Sequence, residues 1–77
     1  MSMEEAKEFL VKKEGRWCHP EEKFTKGTND FKRLCSGLRR FNRKMKKYGF
    51  NILHTKKSKG NLFYMLDKGS AEKIKAL

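Results

Sequence analysis

The chain has 77 residues, 36% of them hydrophobic and 38% charged, with 20 Lys and Arg against 9 Asp and Glu for a formal net charge of +11. That length makes one small domain, residues 1–77, whose core is too modest to enclose a roomy substrate cavity, which argues against an elaborate enzyme. Nine aromatic residues are enough to build a compact core and set the chain apart from disordered ones.

No apolar run approaches the roughly 18 residues that cross a bilayer, and MSMEEAKEFL lacks the basic and apolar stretches of a secretory signal. The expectation is an intracellular protein, cytoplasmic with the nucleoid or nuclear, in which Cys18 and Cys35 stay reduced. The excess charge is concentrated. Residues 31–66 hold eleven cations and no acid, while the nine cations elsewhere cancel nine acids. A contiguous half-chain of one sign is the electrostatic footprint of a polyanion binder.

Ser2 and Glu5 have capping-box spacing, and Met3, Ala6, Phe9 and Leu10 recur at helical intervals, predicting a first helix from about Met3 to Lys13 that Gly15 ends. RWCH, residues 16–19, reads as a brief extended segment in which Trp17 anchors the first helix to a sheet. Pro20, Glu21 and Glu22 open a short second helix, and Lys26, Gly27 and Thr28 form a turn.

Thr28 or Asn29 caps a third helix in which Phe31, Leu34, Cys35, Leu38, Phe41, Met45 and Tyr48 make one apolar stripe. At 100° per residue the seven fall within an arc of about 140°, and Cys35 is expected in the core. Lys32, Arg39, Arg40, Arg43, Lys46 and Lys47, with Ser36, fill the opposite arc. Gly37 costs such a helix about 1 kcal/mol relative to alanine and marks either a close backbone approach or a break. Gly49 closes the helix.

The period then changes from helical to alternating. Phe50 to Thr55 and Asn61 to Leu66 read as two strands, and KKSKG between them as a polar turn, so residues 50–66 form a hairpin with three lysines at its tip. Ser70 caps a final short helix through Leu77. With only Ile74 and Leu77 as apolar anchors, residues 68–77 are expected to fray or dock loosely. Leu77 and this end of the chain also offer a route to a homodimer.

The order helix, short strand, short helix, turn, long basic helix, hairpin resembles the winged helix-turn-helix family of DNA-binding domains. PEEKFTKGTNDFKRLCSGLRRFNRKMKKYG carries the helix-turn-helix and FNILHTKKSKGNLFYML the wing, so the resemblance covers about residues 3–67. It implies an α+β fold of about three helices plus a C-terminal β-hairpin wing. The implied function is DNA binding, as a small transcriptional regulator or a replication or recombination accessory factor, with no cofactor.

In that family the second helix of the motif lies in the major groove and the wing reaches phosphate or the minor groove. Carried over, Thr28 and Asn29 stand at the phosphate-binding amino end of the recognition helix, residues 28–47. Lys32, Ser36, Arg39, Arg40 and Arg43 form its outward face, where arginine suits bidentate contact with guanine. Lys44, Lys46 and Lys47 then touch phosphates, and Lys56, Lys57 and Lys59 serve the wing at 56–60. The second helix is very short for the motif.

Solvated helix faces usually mix signs, because like charges four residues apart repel, and no acid relieves Arg39, Arg43 and Lys47 here. Lysines at a hairpin tip also keep edge strands soluble. Phe50, Phe63 and Tyr64 are assigned to the core rather than to base stacking. Cys18, His19, Cys35 and His54 fit no zinc-ligand spacing, and no nucleophile and base come together, so neither metal nor catalytic residues are expected. RNA binding, or a protein-interaction or inhibitor role for the basic face on an acidic partner, are the alternatives.

Overall fold

The computed structural model describes residues 2–75; the side chain of Ser2, expected to cap the first helix, and Leu77, expected as an anchor, lie outside its described part. The protein is a small α+β structure with three α-helices and one antiparallel hairpin. Among the described residues, no helix is long and apolar enough to cross a membrane.

Helix α1, Ser2–Lys12, turns Ala6, Phe9 and Leu10 fully inward. Gly15 ends it with φ +81°, and its N–H donates to Leu66 O at 2.7 Å. A Cβ there would stand 3.3 Å from Lys68 Cβ. The residue that stops the helix thus also ties it to the sheet, which needs both left-handed backbone and close approach.

The extended segment after it is a single bridge, in which Cys18 and Tyr64 exchange N–H···O bonds of 2.8 and 2.9 Å. The expected second helix is only a 3₁₀ turn, Pro20–Glu22. His19 fixes it by accepting from Glu21 N through Nδ1 at 3.2 Å while its own N–H donates to Glu22 Oε2 at 3.1 Å. With both amides satisfied by reciprocal capping, one turn is self-sufficient.

Helix α2, Asn29–Lys47, is capped by Thr28, whose Oγ1 accepts from Phe31 N at 3.2 Å. It runs unbroken through Gly37, which is buried. At its carboxyl end Gly49, φ +78°, donates to Lys46 O at 3.1 Å and Phe50 N to Met45 O at 3.0 Å. This pair of bonds is the Schellman arrangement, with Phe50 packing near Met45. Leu34, Leu38, Phe41 and Met45 are buried as the stripe requires, but Cys35 is only half-buried and Tyr48 is 54% exposed. Tyr48 is the C-cap, where the backbone leaves helical geometry and the stripe no longer governs direction. The deeply buried thiol is Cys18, which donates to Tyr64 O at 3.3 Å.

Strands β1, Leu53–Ser58, and β2, Asn61–Leu66, pair in the register Leu53↔Leu66 to Ser58↔Asn61. The turn is therefore Lys59 and Gly60 alone, with φ of +52° and +81°, and not all of KKSKG. Two successive positive φ values match the right-handed twist of the strands, so the ladder closes up to its last pair. Phe50 and Ile52 precede β1 and pack against the core from the connecting loop.

Register also decides faces. Cys18, Leu53, Tyr64 and Leu66 point inward, so by alternation Trp17, His19, His54, Lys56, Phe63 and Met65 share the outer face. Neither Trp17 nor Phe63 packs against the core cluster, contrary to their expected places. Helix α3, Ala71–Lys75, is not loosely docked as expected. Ile74 has no exposed surface, Ser70 is buried, and Ala71 N donates to Glu14 Oε2 at 2.8 Å.

Ile74→Ala should destabilise the fold by about 2–5 kcal/mol. Each kcal/mol lowers the melting temperature of a domain this size by about 4–8 °C. A shift under one degree in thermal melts would show that the α3 anchor contributes nothing.

Candidate nucleic-acid interface

Helix α2 is hidden along one flank by α1 and open along the other. At the seam Arg33 Nε donates to Glu5 Oε1 at 2.7 Å and its Nη2 meets Asp30 Oδ1 at 2.8 Å. The hydrogen bond and charge of Arg33 hold the Glu5 carboxyl below the usual carboxylate range, and Glu5 in turn raises Arg33. Arg33 is thereby spoken for.

The other basic residues of this half are not. Lys32, Arg39, Arg40, Arg43, Lys46 and Lys47 are exposed on the open arc, and among the described residues none forms an ion pair. The carboxylates sit elsewhere: Glu22 holds Lys13 at 2.9 Å and Arg16 at 3.4 Å, and Glu4 holds Lys7 at 3.5 Å. Burial opposes ionisation of Glu22, yet the hydrogen bonds from Lys13 and the His19 amide hold it below its ordinary value.

Four of the expected site residues stand apart from that arc. The Thr28 hydroxyl donates its proton to Thr25 O at 2.7 Å, so its side chain has none to offer a phosphate, although Asn29 beside it is exposed. Ser36 is half-buried and accepts from Arg39 Nη2 at 3.4 Å. Lys44 lies on the α1 flank, beside Met3 and Phe41, with its ammonium 5.8 Å from the Tyr48 ring centre. Lys56 is in β1, not the turn, and its ammonium sits 4.5 Å from the Trp17 ring centre on the outer sheet face.

Lys57, also in β1, shares the inner parity with its partner Leu62, and Lys59 alone occupies the turn. That turn stands next to α2. A groove of about 200 Å³ separates them, walled by Phe31, Cys35 and Arg39 on the helix and Gly60, Asn61 and Leu62 on the hairpin. Tyr64 reaches the same groove; burial raises its phenol pKa and the Arg39 charge draws it partly back. Lys26 borders the groove as well, a cation whose place in a turn had hidden its relevance.

Burial pushes the Cys18 thiol up to about 11, helped by the Glu22 charge, and raises Cys35 despite Arg39. Among the described residues no cluster of three His, Cys, Asp or Glu is placed to hold a metal ion. What the arrangement offers is a convex row of unneutralised cations beside a basic hairpin, a shape that fits a charged lattice and not a small substrate. No protein-family model, curated protein or solved structure matches this chain.

The Glu5–Arg33 seam gives a pH test. A carboxyl held below its ordinary value stabilises the fold above the ordinary carboxylate range, and loses that contribution as pH falls through the folded-state value. Glu5→Gln should therefore melt a few degrees below the natural chain near neutrality and converge with it in strong acid. Parallel melting curves at both pH values would mean the pair is not coupled to folding.

Proposed function

We propose that the protein binds duplex nucleic acid, DNA in the first place, as a small winged-helix-like domain. In this reading α2 enters the major groove and the hairpin lies against the adjoining backbone. The observation that carries it is the sorting of charge: the acids of the chain neutralise cations along α1, the 3₁₀ turn and Arg33, and leave the open arc of α2 without one. Six like charges on one helix face repel one another, a standing cost that a phosphate lattice would convert into binding.

Roles follow from position. Arg39, Arg40 and Arg43 are the side chains with the reach and forked donors for guanine O6 and N7. Lys32, Lys46 and Lys47, with Lys57 and Lys59, suit phosphate oxygens, which fix register without reading sequence. Asn29 at the amino end of α2 stands where helix amides favour an anion. The element order helix, bridge strand, turn, helix, hairpin supports the winged-helix layout, with a 3₁₀ turn in place of the motif's first helix. On this reading the chain would act as a regulator or accessory factor on DNA.

Fluorescence anisotropy with labelled duplex DNA, duplex RNA and single strands should give a duplex affinity that falls by about 10³–10⁵ between about 50 and 200 mM salt, if roughly six to ten phosphates are contacted. Reversing Arg40 and Arg43 to Glu should weaken duplex binding and reduce the salt slope by about 2, with the melting temperature unchanged, because both side chains are exposed. A salt-independent affinity would sink the proposal, and preference for duplex RNA would move it to an A-form groove.

A further inference from the structure

The outer sheet face has a composition that core formation does not explain. Of a sheet three strands wide at its middle, the inner parity supplies Cys18, Leu53, Tyr64 and Leu66 to the core, and the outer parity supplies Trp17, Phe63 and Met65 to no part of it. A small domain that sets its one tryptophan and a phenylalanine outside its core forgoes some of its largest available burial. Both rings stay partly exposed.

The rings are mounted, not loose. His19 lies 5.2 Å from Phe63, centre to centre, and is itself fixed by its cap on the 3₁₀ turn. Trp17 and Phe63 sit diagonally on adjacent strands, about 7–8 Å apart by sheet geometry, so each ring can serve a different base. Cations rim the face. Lys56 stands over Trp17 without a carboxylate partner, and Lys59 is at the nearby turn. The one acid beside the face is Asp67, held by His54 Nε2 at 2.6 Å, while Arg16 at its other side is drawn to Glu22 at 3.4 Å.

Exposed rings carried on adjacent strands and edged by unpaired lysines are the chemistry of single-strand recognition: bases stack on the rings and phosphates meet the cations. We infer that this outer face, built from Trp17, Phe63 and Lys56, binds an unpaired stretch of nucleic acid, separately from the duplex face of α2. On binding, a base takes the place over Trp17 that the Lys56 ammonium holds in the unbound protein, and that ammonium moves to the adjoining phosphate. The inference does not rest on the duplex reading, since the two surfaces share no side chain.

Trp17 is the only tryptophan in the chain, so its emission reports on this face alone. Titrating the full chain with an oligothymidylate of about twelve nucleotides at low salt should quench that emission saturably. Phe63→Ala should weaken the titration by about 5- to 150-fold, and Phe63→Tyr, which keeps a ring, should retain it. Lys56→Glu, a change at an exposed position, should weaken it without altering the melting curve and stands as the test if Phe63→Ala does not fold.

The Arg40→Glu, Arg43→Glu variant should keep the quench while losing duplex binding. Unchanged emission at saturating oligonucleotide overturns the inference, as does a Lys56→Glu titration equal to that of the natural chain. So does loss of the quench in the Arg40, Arg43 variant, which would place the strand on α2. Equal quenching by polyglutamate would assign the face to acidic protein instead.

Discussion

The burial of one face of α1 is the constraint on which the structure turns. Ala6, Phe9 and Leu10 are each at most 2% exposed, and around them stand α2, β2 and α3, so a single eleven-residue helix is in contact with every other layer of the core. A chain this short has no second core to fall back on. Once α1 occupies one flank of α2, that flank must be apolar or ion-paired, and Gly37 and the Arg33–Glu5 pair meet that demand. All remaining charge on α2 is forced to the far arc. The basic face is thus the complement of the packing and not an independent feature of it.

That complement explains how the molecule manages its charge. Nine acids cannot neutralise twenty cations, and the fold spends them where cations crowd the core margin: Glu22 on Lys13 and Arg16, Glu5 and Asp30 on Arg33. Glu14 is used on a backbone amide of α3. Repulsion is left to accumulate where solvent and counterions screen it best, on the convex outer arc of α2. Such an arrangement lowers stability slightly in the unbound protein and is most relieved by an anion that spans the whole arc at once.

What was legible in the sequence was whatever depends on near neighbours. Thr28 as a cap, Gly15 and Gly49 as terminators and the stripe from Leu34 to Met45 all follow from contacts within five residues, and all stand in the structure. What failed depends on partners far along the chain. Nothing near Ile74 reveals that Glu14 will receive the amide of Ala71, and so α3 reads as frayed when it is anchored. Trp17 and Phe63 read as core residues because large aromatics usually are; only the Cys18↔Tyr64 bridge, spanning 46 residues, fixes their parity outward. KKSKG reads as a loop because lysine and serine are weak strand formers, yet cross-strand pairing overrides propensity until only Lys59 and Gly60 remain to turn.

That two-residue turn carries a further consequence for the interface. Because β1 continues to Ser58, its successive lysines obey alternation: Lys57 takes the parity of Leu62, toward the groove beside Arg39, and Lys56 takes the parity of Phe63, over Trp17. A five-residue loop would have left all three lysines as one mobile cluster at a tip. The tight turn instead deals one cation to each side of the hairpin and leaves Lys59 between them. A single residue inserted into β1 between His54 and Lys56 would exchange the two sides, moving Lys56 toward α2 and uncovering Trp17, so the strand register, and not the number of lysines, determines what each face can bind.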